Sequence, residues 1–115
     1  AFGEDAYPTL SLKAAALLHS VARNHPFTDG NKRTATVGMI FMLQVNGQTV
    51  NWQPEEALTM ILRAAEGHTE VDAIAAWLPL IATEYVLQPD SEADMRLIAR
   101  IIDNHRWLLD ELEQR

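Results

Sequence analysis

The chain has 115 residues, of which 48% are hydrophobic and 22% are charged, and this composition excludes disordered and fibrous proteins. Its formal net charge of -7 opposes binding to nucleic acid or to an anionic membrane, so a phosphate-bearing ligand requires a local cluster of cations. Because there is no cysteine and no apolar run as long as a membrane span, we predict a single cytoplasmic domain without disulfides or thiolate metal sites.

The first predicted helix leads directly to a polar loop. Residues 1–8 contain a glycine, an acidic pair and a proline, which favour an extended or looped segment. Helical spacing of apolar residues then begins near Leu10, with Thr9 or Ser11 as the N-cap, and it ends near Asn24.

A second helix is predicted to form the buried centre of the fold. Between Asn31 and Val45 the apolar residues leave almost no polar face, which is typical of a helix surrounded by other elements. The following Asn46–Gly47 pair favours a left-handed C-terminal cap. Residues 48–53 alternate too briefly for a sheet, and we interpret them as a connector.

Further helices are predicted in the second half of the chain. One begins at Pro54 and is closed by Gly67, because proline suits the first turn of a helix and glycine suits the residue after its end. Another runs from about Glu70 to Leu87, with inward positions that include Ile81 and with a kink or a break at Pro79.

The last predicted helix begins with Asp90 or Ser91 as its cap and carries an apolar seam. The members of the seam are three and four residues apart: Ile98, Ile102, His105, Leu109 and Leu112. Two heptads are too few for a coiled coil, so we interpret this segment as an amphipathic helix packed on its own domain. A homodimer through residues 91–113 is the alternative. The complete pattern predicts a compact all-α domain.

The loop before Asn31 is predicted to bind phosphate. The first backbone N–H groups of a helix have no intrahelical partners and lie at the positive end of its dipole. Gly30 has no Cβ to keep an anion away, and the next three residues add donors and positive charge. The predicted phosphate cradle comprises Gly30, Asn31, Lys32 and Arg33.

Other side chains of the loop indicate group transfer. Asp29 is favourable beside a bound anion only if a cation such as Mg²⁺ bridges the carboxylate and the phosphate oxygens. His25 supplies an imidazole, whose ordinary pKa of about 6.5 suits it to take a proton from a hydroxyl group. Phe27 is expected to point into the core and to support the loop. We therefore predict transfer of a phosphorus group from a metal-bound nucleotide to a hydroxyl group.

The loop sequence HPFTDGNKR resembles the signature of the Fic and Doc (death on curing) family, His-x-Phe-x-Asp/Glu-Gly-Asn-Gly/Lys-Arg. Every specified position is satisfied, and the resemblance covers roughly residues 1–82. It implies an all-α Fic/Doc core over residues 1–82, with the motif between two central helices and a C-terminal helical extension of the same domain over residues 83–115. Because the usual N-terminal helix and part of the target-docking flap are not recognised, we expect an upstream segment before Ala1.

The resemblance implies roles that agree with the chemistry of the loop. His25 would be the general base, Asp29 the Mg²⁺ ligand and residues 30–33 the phosphate cradle. ATP or another nucleotide would be the donor, and the acceptor would be a Ser, Thr or Tyr hydroxyl of a target protein.

Lys32 distinguishes two reactions within the family. Most AMP-transferring members have glycine at this position, whereas Doc-like members have lysine and are understood to bind the nucleotide reversed, with phosphorylation of elongation factor Tu as the result. We therefore expect a Doc-like toxin that transfers a phosphoryl group to a protein such as a translation factor. AMP transfer is the first alternative, and a non-catalytic toxin-like binding module is the second.

Many family members are restrained by a helix that carries Ser/Thr-x-x-x-Glu-Gly/Asn, in which the glutamate pairs with the arginine of the motif. Only Leu62–Gly67 approaches this pattern, and we reject it because leucine replaces the hydroxyl residue. Restraint is then expected either from a separate antitoxin, as in Doc systems, or from the C-terminal helix.

Overall fold

The structure is a computed structural model that describes residues 9–25, 27–84, 88 and 90–115. Within these residues the elements are α1 (Leu10–Asn24), α2 (Asn31–Val45), β1 (Gln48–Val50), α3 (Pro54–Ala65), α4 (Val71–Trp77), β2 (Leu80–Ala82), α5 (Ser91–Asn104) and α6 (Arg106–Glu113). The predicted all-α class is confirmed. The loop and flap predicted for residues 1–8, and the predicted helical segment at residues 85–87, lie outside the described residues.

Helices α1 and α2 pack against each other and form the centre of the domain. The Thr9 side chain accepts a hydrogen bond from the Leu12 N–H at 3.1 Å, which confirms the predicted cap of α1. The bounds predicted for α2 are also confirmed, and Gly47 has the expected positive φ of 84°. The fully buried large side chains of this helix pair are Leu18, Thr36, Met39, Ile40 and Leu43.

The prediction that α2 is buried on all sides was wrong. Val37, Phe41, Met42 and Val45 are only partly buried, although they pack against the core. A domain of this size has too few elements to cover every face of its central helix. The partly covered face of α2 forms one wall of a cavity, and Ile102 and Leu109 lie on the opposite wall.

A small antiparallel sheet replaces the connector predicted for residues 48–53. In its register Gln48 lies opposite Ala82 and Val50 lies opposite Leu80. Backbone bonds from Asn51 N–H to the Pro79 carbonyl (2.8 Å) and from Thr83 N–H to the Gly47 carbonyl (2.9 Å) extend the pairing. The strands are far apart in the chain, so no local pattern could predict that they pair.

The predicted break at Pro79 is confirmed, but the continuation of that helix to Leu87 was wrong. Leu78 already has extended backbone, with φ of -60° and ψ of 109°, because a residue before proline is disfavoured in the helical region. The chain then enters β2 instead of resuming the helix. Ile81 was expected to face inward, yet it is 47% exposed because the strand at residues 80–82 lies at the surface.

The last predicted helix is in fact two helices, α5 and α6, which join at His105. Asp90 caps α5 as predicted, since its Oδ1 accepts hydrogen bonds from the N–H groups of Glu92 and Ala93. The His105 ring packs edge-on against Trp52, with ring centroids 5.9 Å apart, and Trp52 stacks on Trp77. The pair of helices packs against α2 and α3 through buried side chains at Leu97, Ile101, Leu108, Leu109 and Leu112. The homodimer through residues 91–113 stays a prediction.

None of the helices in the described ranges combines the length and the apolar character needed to cross a bilayer, and the longest have 15 residues.

The position of His105 predicts a pH dependence of stability. Burial lowers the pKa of His105 below its ordinary value of 6.5, so the unfolded chain binds the proton more readily than the folded chain. The stabilising contribution is therefore complete above the unfolded pKa and is lost as the pH falls from there towards the lower folded pKa. Urea unfolding of the wild type and of His105→Gln at about pH 7.5 and about pH 5.5 measures this effect.

We expect the wild type to lose more unfolding free energy than His105→Gln over this interval. The carboxylates that titrate in the same range are common to both proteins, so the difference between the two curves isolates the imidazole. Parallel curves would contradict this account of His105.

Candidate functional site

Most of the predicted site residues meet at the N-terminal end of α2. Residues 29–33 form one side of a cleft of about 250 Å³, and the other side comes from the end of the chain: Leu112, Glu113 and Arg115. The predicted metal ligand and all members of the predicted cradle therefore share one cleft. His25 lies at the end of α1, at the start of the loop, and it is not part of the lining of the cleft.

A pair of hydrogen bonds from Asn31 holds the loop. The Asn31 Oδ1 accepts from the Phe27 N–H at 2.8 Å, and the Asn31 Nδ2 donates to the Phe27 carbonyl at 2.8 Å. The side chain of Asn31 is buried, so these bonds satisfy polar atoms that would otherwise be costly to enclose. We call this pair the Asn31 clamp. It shows that the Asn31 side chain supports the loop, which leaves its backbone N–H as its contribution to the cradle.

The expectation that Phe27 points into the core was wrong, since its side chain is 53% exposed. The Asn31 clamp bonds the backbone of Phe27, so the loop is held without burial of the ring. The pattern of apolar residues could not distinguish these two kinds of support. Asn31 was the available signal, because an amide at the first position of a buried helix has both a donor and an acceptor to satisfy.

Left-handed backbone marks each end of the loop. His25 has φ of 51° and ψ of 56° as the C-cap of α1, and Gly30 has φ of 75° as the N-cap of α2. This region costs a residue with a side chain on the order of 1 kcal/mol or more, although histidine tolerates it better than most. The His25 side chain is exposed at this bend, outside the helical ladder of α1.

The start of α2 has hydrogen-bond donors that no side chain satisfies. Its N-cap residue, Gly30, makes no side-chain cap, and no protein atom among the described residues lies within 4 Å of the position that a Cβ on Gly30 would occupy. The Nε of Arg33 is buried and has no hydrogen-bond acceptor in the part of the chain that the structure describes. Lys32 lines the same cleft. These groups fit an anion with several acceptor oxygens.

Asp29 could hold a metal ion only if a bound molecule such as a phosphate supplied further oxygen ligands to that ion. Its Oδ1 accepts the Gly30 N–H at 2.8 Å, which uses one of the two carboxylate oxygens. Among the described residues there is no group of three or more histidine, aspartate and glutamate side chains that could hold a metal ion. This arrangement suits Mg²⁺, which is often bound by one or two carboxylates together with substrate phosphates and waters.

An acidic side chain from the C-terminal helix pairs with the cradle. Glu113 Oε1 lies 3.4 Å from Arg33 Nη1, and both side chains are partly exposed. The sequence pattern did not predict this contact, because the two residues are 80 positions apart in the chain. They meet because the neighbouring Leu112 is buried in the core, which holds the end of α6 against the fold. Glu66, the glutamate of the rejected inhibitory pattern, lies at the C-cap of α3 and is near His68 instead.

Removal of the Asn31 clamp should destabilise the protein. We predict that Asn31→Ala lowers the free energy of unfolding by about 1–3 kcal/mol, because it leaves the part-buried N–H and carbonyl of Phe27 without their partners. Asn24→Ala is the matched control, since Asn24 is exposed and lies just before the same loop. Denaturant unfolding measures both, and equal losses for the two variants would contradict the role of the clamp.

Removal of the Glu113 carboxylate should strengthen anion binding. Glu113→Gln frees the Arg33 guanidinium, and since exposed ion pairs contribute up to about 1 kcal/mol, we expect up to about fivefold tighter binding of inorganic tripolyphosphate. Calorimetric titration at low salt measures this change. Glu92→Gln is the control, because it removes the same charge from α5 and its partner, Arg96, does not line the cleft. Equal tightening in both variants would indicate a general charge effect.

Comparison with known proteins agrees with the loop signature. The Fic/DOC family profile matches residues 2–43, a stretch that contains the entire loop and most of α2. A curated relative, Toxin Doc from Mycolicibacterium smegmatis, is 43% identical over 79 residues, which are 67% of this chain and 61% of the relative. The chain thus spans about three-fifths of the length of that relative. No solved structure matches this chain in the comparison with known structures. Because both similarities accompany a complete loop signature at the start of a central helix, the chain belongs to the Fic/Doc family.

Proposed function

We propose that this protein is a Doc-like toxin that transfers a phosphoryl group from Mg-ATP to a hydroxyl group of a target protein, such as a translation factor. The observation that supports this proposal most strongly is the set of unused donors at the start of α2. No side chain caps the first turn, and the buried Arg33 Nε has no acceptor among the described residues. The phosphate oxygens of ATP could accept these donors.

The cradle would bind and orient the phosphates. The first-turn N–H groups of α2 and the cations of Lys32 and Arg33 would offset the phosphate charge, while Gly30 would allow close approach to the backbone. Asp29 would hold Mg²⁺, which when bound neutralises phosphate charge and fixes the orientation of the triphosphate. In a chain with a net charge of -7, this local cluster is needed to bind an anion.

His25 would act as the general base. As the exposed residue at the bend after α1, its imidazole is accessible to a hydroxyl group of a target protein. The hydroxyl oxygen would form a bond to the terminal phosphorus of ATP, and its proton would pass to the imidazole. The bond between that phosphorus and the bridging oxygen would break, with the electron pair leaving on ADP.

Lys32 favours phosphoryl transfer over AMP transfer in this proposal. A long cation in the cradle takes space and adds positive charge where AMP-transferring members have glycine. This difference favours a nucleotide placed with its terminal phosphate towards His25. AMP transfer to a protein hydroxyl is the alternative reaction, and a non-catalytic binding module is the second alternative.

The proposed partners are a target protein and an antitoxin. The antitoxin is inferred by analogy with the relative whose name is Toxin Doc. Helix α6 is the other proposed source of restraint, through Glu113. Deletion of the C-terminal helices would not test this restraint, because Leu108, Leu109 and Leu112 are buried in the core.

An isotope experiment separates the proposed reaction from its alternatives. Purified elongation factor Tu, as a candidate target, is incubated with the protein, Mg²⁺ and ATP labelled at either the α or the γ phosphorus. We expect label from the γ position on the target, and at least a hundredfold slower labelling with His25→Ala. His68→Ala, which removes an exposed histidine outside the loop, should label at the wild-type rate.

Retention of the α label would establish AMP transfer instead. If neither label is transferred and neither the wild type nor Asp29→Ala binds Mg-ATP in calorimetry, the binding module becomes the better account.

A further inference from the structure

An aromatic ring is exposed directly beside the proposed general base. The Phe27 side chain is 53% exposed, and Phe27 follows His25 by two residues. Because two residues of chain span at most about 7 Å, the Cα atoms of Phe27 and His25 lie within that distance of each other. Phe27 lines neither the cleft of the cradle nor the cavity beside α2. The proposed nucleotide site therefore makes no use of this ring.

The backbone that carries the ring is held in place. The Asn31 clamp bonds both the N–H and the carbonyl of Phe27, each at 2.8 Å. The other strongly exposed large apolar side chains of the described residues lie on elements away from the loop: Ile81 in β2, Met95 in α5 and Trp107 in α6. A side chain on a fixed backbone loses less conformational freedom when a partner covers it, so Phe27 is prepared for contact with another molecule.

An exposed cation lies on the other side of the base. Arg23 precedes His25 by two residues, in the last turn of α1. Its side chain packs along the backbone at Gly67, since the Arg23 Nε lies 2.8 Å from the position that a Cβ on Gly67 would occupy. Within the ranges that the structure describes, Arg23 makes no ion pair. Its charge is thus available to a carboxylate of another molecule.

The proposed reaction determines which molecule covers these side chains. A target hydroxyl has to reach the His25 imidazole, so the surface of the target must pass over the end of α1 and the start of the loop. A typical specific interface buries about 800 Å² of each partner, which corresponds to a patch about 16 Å in radius. Arg23 and Phe27, each within about 7 Å of His25, lie near the centre of such a patch. Aromatic and arginine side chains at the centre of an interface contribute most of its binding energy.

We infer that Arg23, His25 and Phe27 form a docking strip for the target protein. The strip is complementary to a target segment in which an apolar side chain and a carboxylate flank the acceptor residue. The apolar side chain contacts the Phe27 ring, and the carboxylate pairs with Arg23. The inference rests on the proposed function, because it assumes that His25 receives the target hydroxyl. It assigns recognition of the target to side chains that do not line the nucleotide cleft.

The test separates recognition of the target from binding of the nucleotide. Phe27→Ser removes the ring, Phe27→Tyr keeps it, and Arg23→Gln removes the charge. The matched controls are Trp107→Ser, which removes an exposed ring from α6, and Arg100→Gln, which removes an exposed cation from α5. Labelling of purified elongation factor Tu over a range of its concentrations gives kcat and KM for the target. Calorimetry gives the affinity for Mg-ATP, and circular dichroism melting checks the fold.

We expect Phe27→Ser to raise the KM for the target about tenfold and Arg23→Gln to raise it about threefold, because each removes a contact at the centre of the interface. The kcat, the affinity for Mg-ATP and the melting temperature should stay close to those of the wild type, since the lost contact is the same in the bound and transition states. Phe27→Tyr should keep the KM of the wild type, and so should both controls.

An unchanged KM in either Phe27→Ser or Arg23→Gln, or an equal rise in the controls, would overturn the docking strip while the proposed reaction stands. Loss of the fold or of Mg-ATP binding in Phe27→Ser would also overturn it, because the ring would then support the site instead of contacting the target. If the wild type transfers no label to this target, the proposed reaction with it fails first, and the docking strip is overturned with it.

Discussion

The two hydrogen bonds between the Asn31 side chain and the Phe27 backbone hold the loop on which the candidate site depends. They attach the loop to the first residue of α2, and α2 is in turn held by packing against α1 and the C-terminal helices. Since the clamp uses the side chain of Asn31, the backbone N–H groups of the first turn and the cations of Lys32 and Arg33 remain for a ligand. A buried amide thus links the stability of the fold to the shape of the cradle.

The C-terminal helices complete this region in two ways. Buried leucines hold α6 against the core, and the end of the chain then contributes Glu113 and Arg115 to the cleft. Farther along α2, Ile102 and Leu109 close the apolar cavity beyond Arg33. The same helices therefore bring a carboxylate next to Arg33 and form one wall of the neighbouring cavity.

Local signals in the sequence predicted much of this structure. Thr9 and Asp90 were predicted as caps, Asn31 and Val45 as the bounds of α2, and Gly30 to Arg33 as neighbours, because caps, turns and helical spacing depend on nearby residues. The strand pairing, the division of the last helix at His105 and the Arg33–Glu113 contact depend on residues that are distant in the chain. The exposure of Phe27 was missed for a different reason. The same loop sequence is compatible with a buried Phe27 ring and with an exposed ring whose backbone is bonded to Asn31, so the sequence alone does not distinguish the two.

The central claim is that the start of α2 binds the phosphates of a nucleotide. Nuclear magnetic resonance of ¹⁵N-labelled protein tests it directly, by following the backbone amides during titration with Mg-ATP. The account predicts saturable shifts that are largest at Gly30, Asn31, Lys32 and Arg33. Saturable shifts confined to another surface, or none at these four amides at millimolar Mg-ATP, would contradict it.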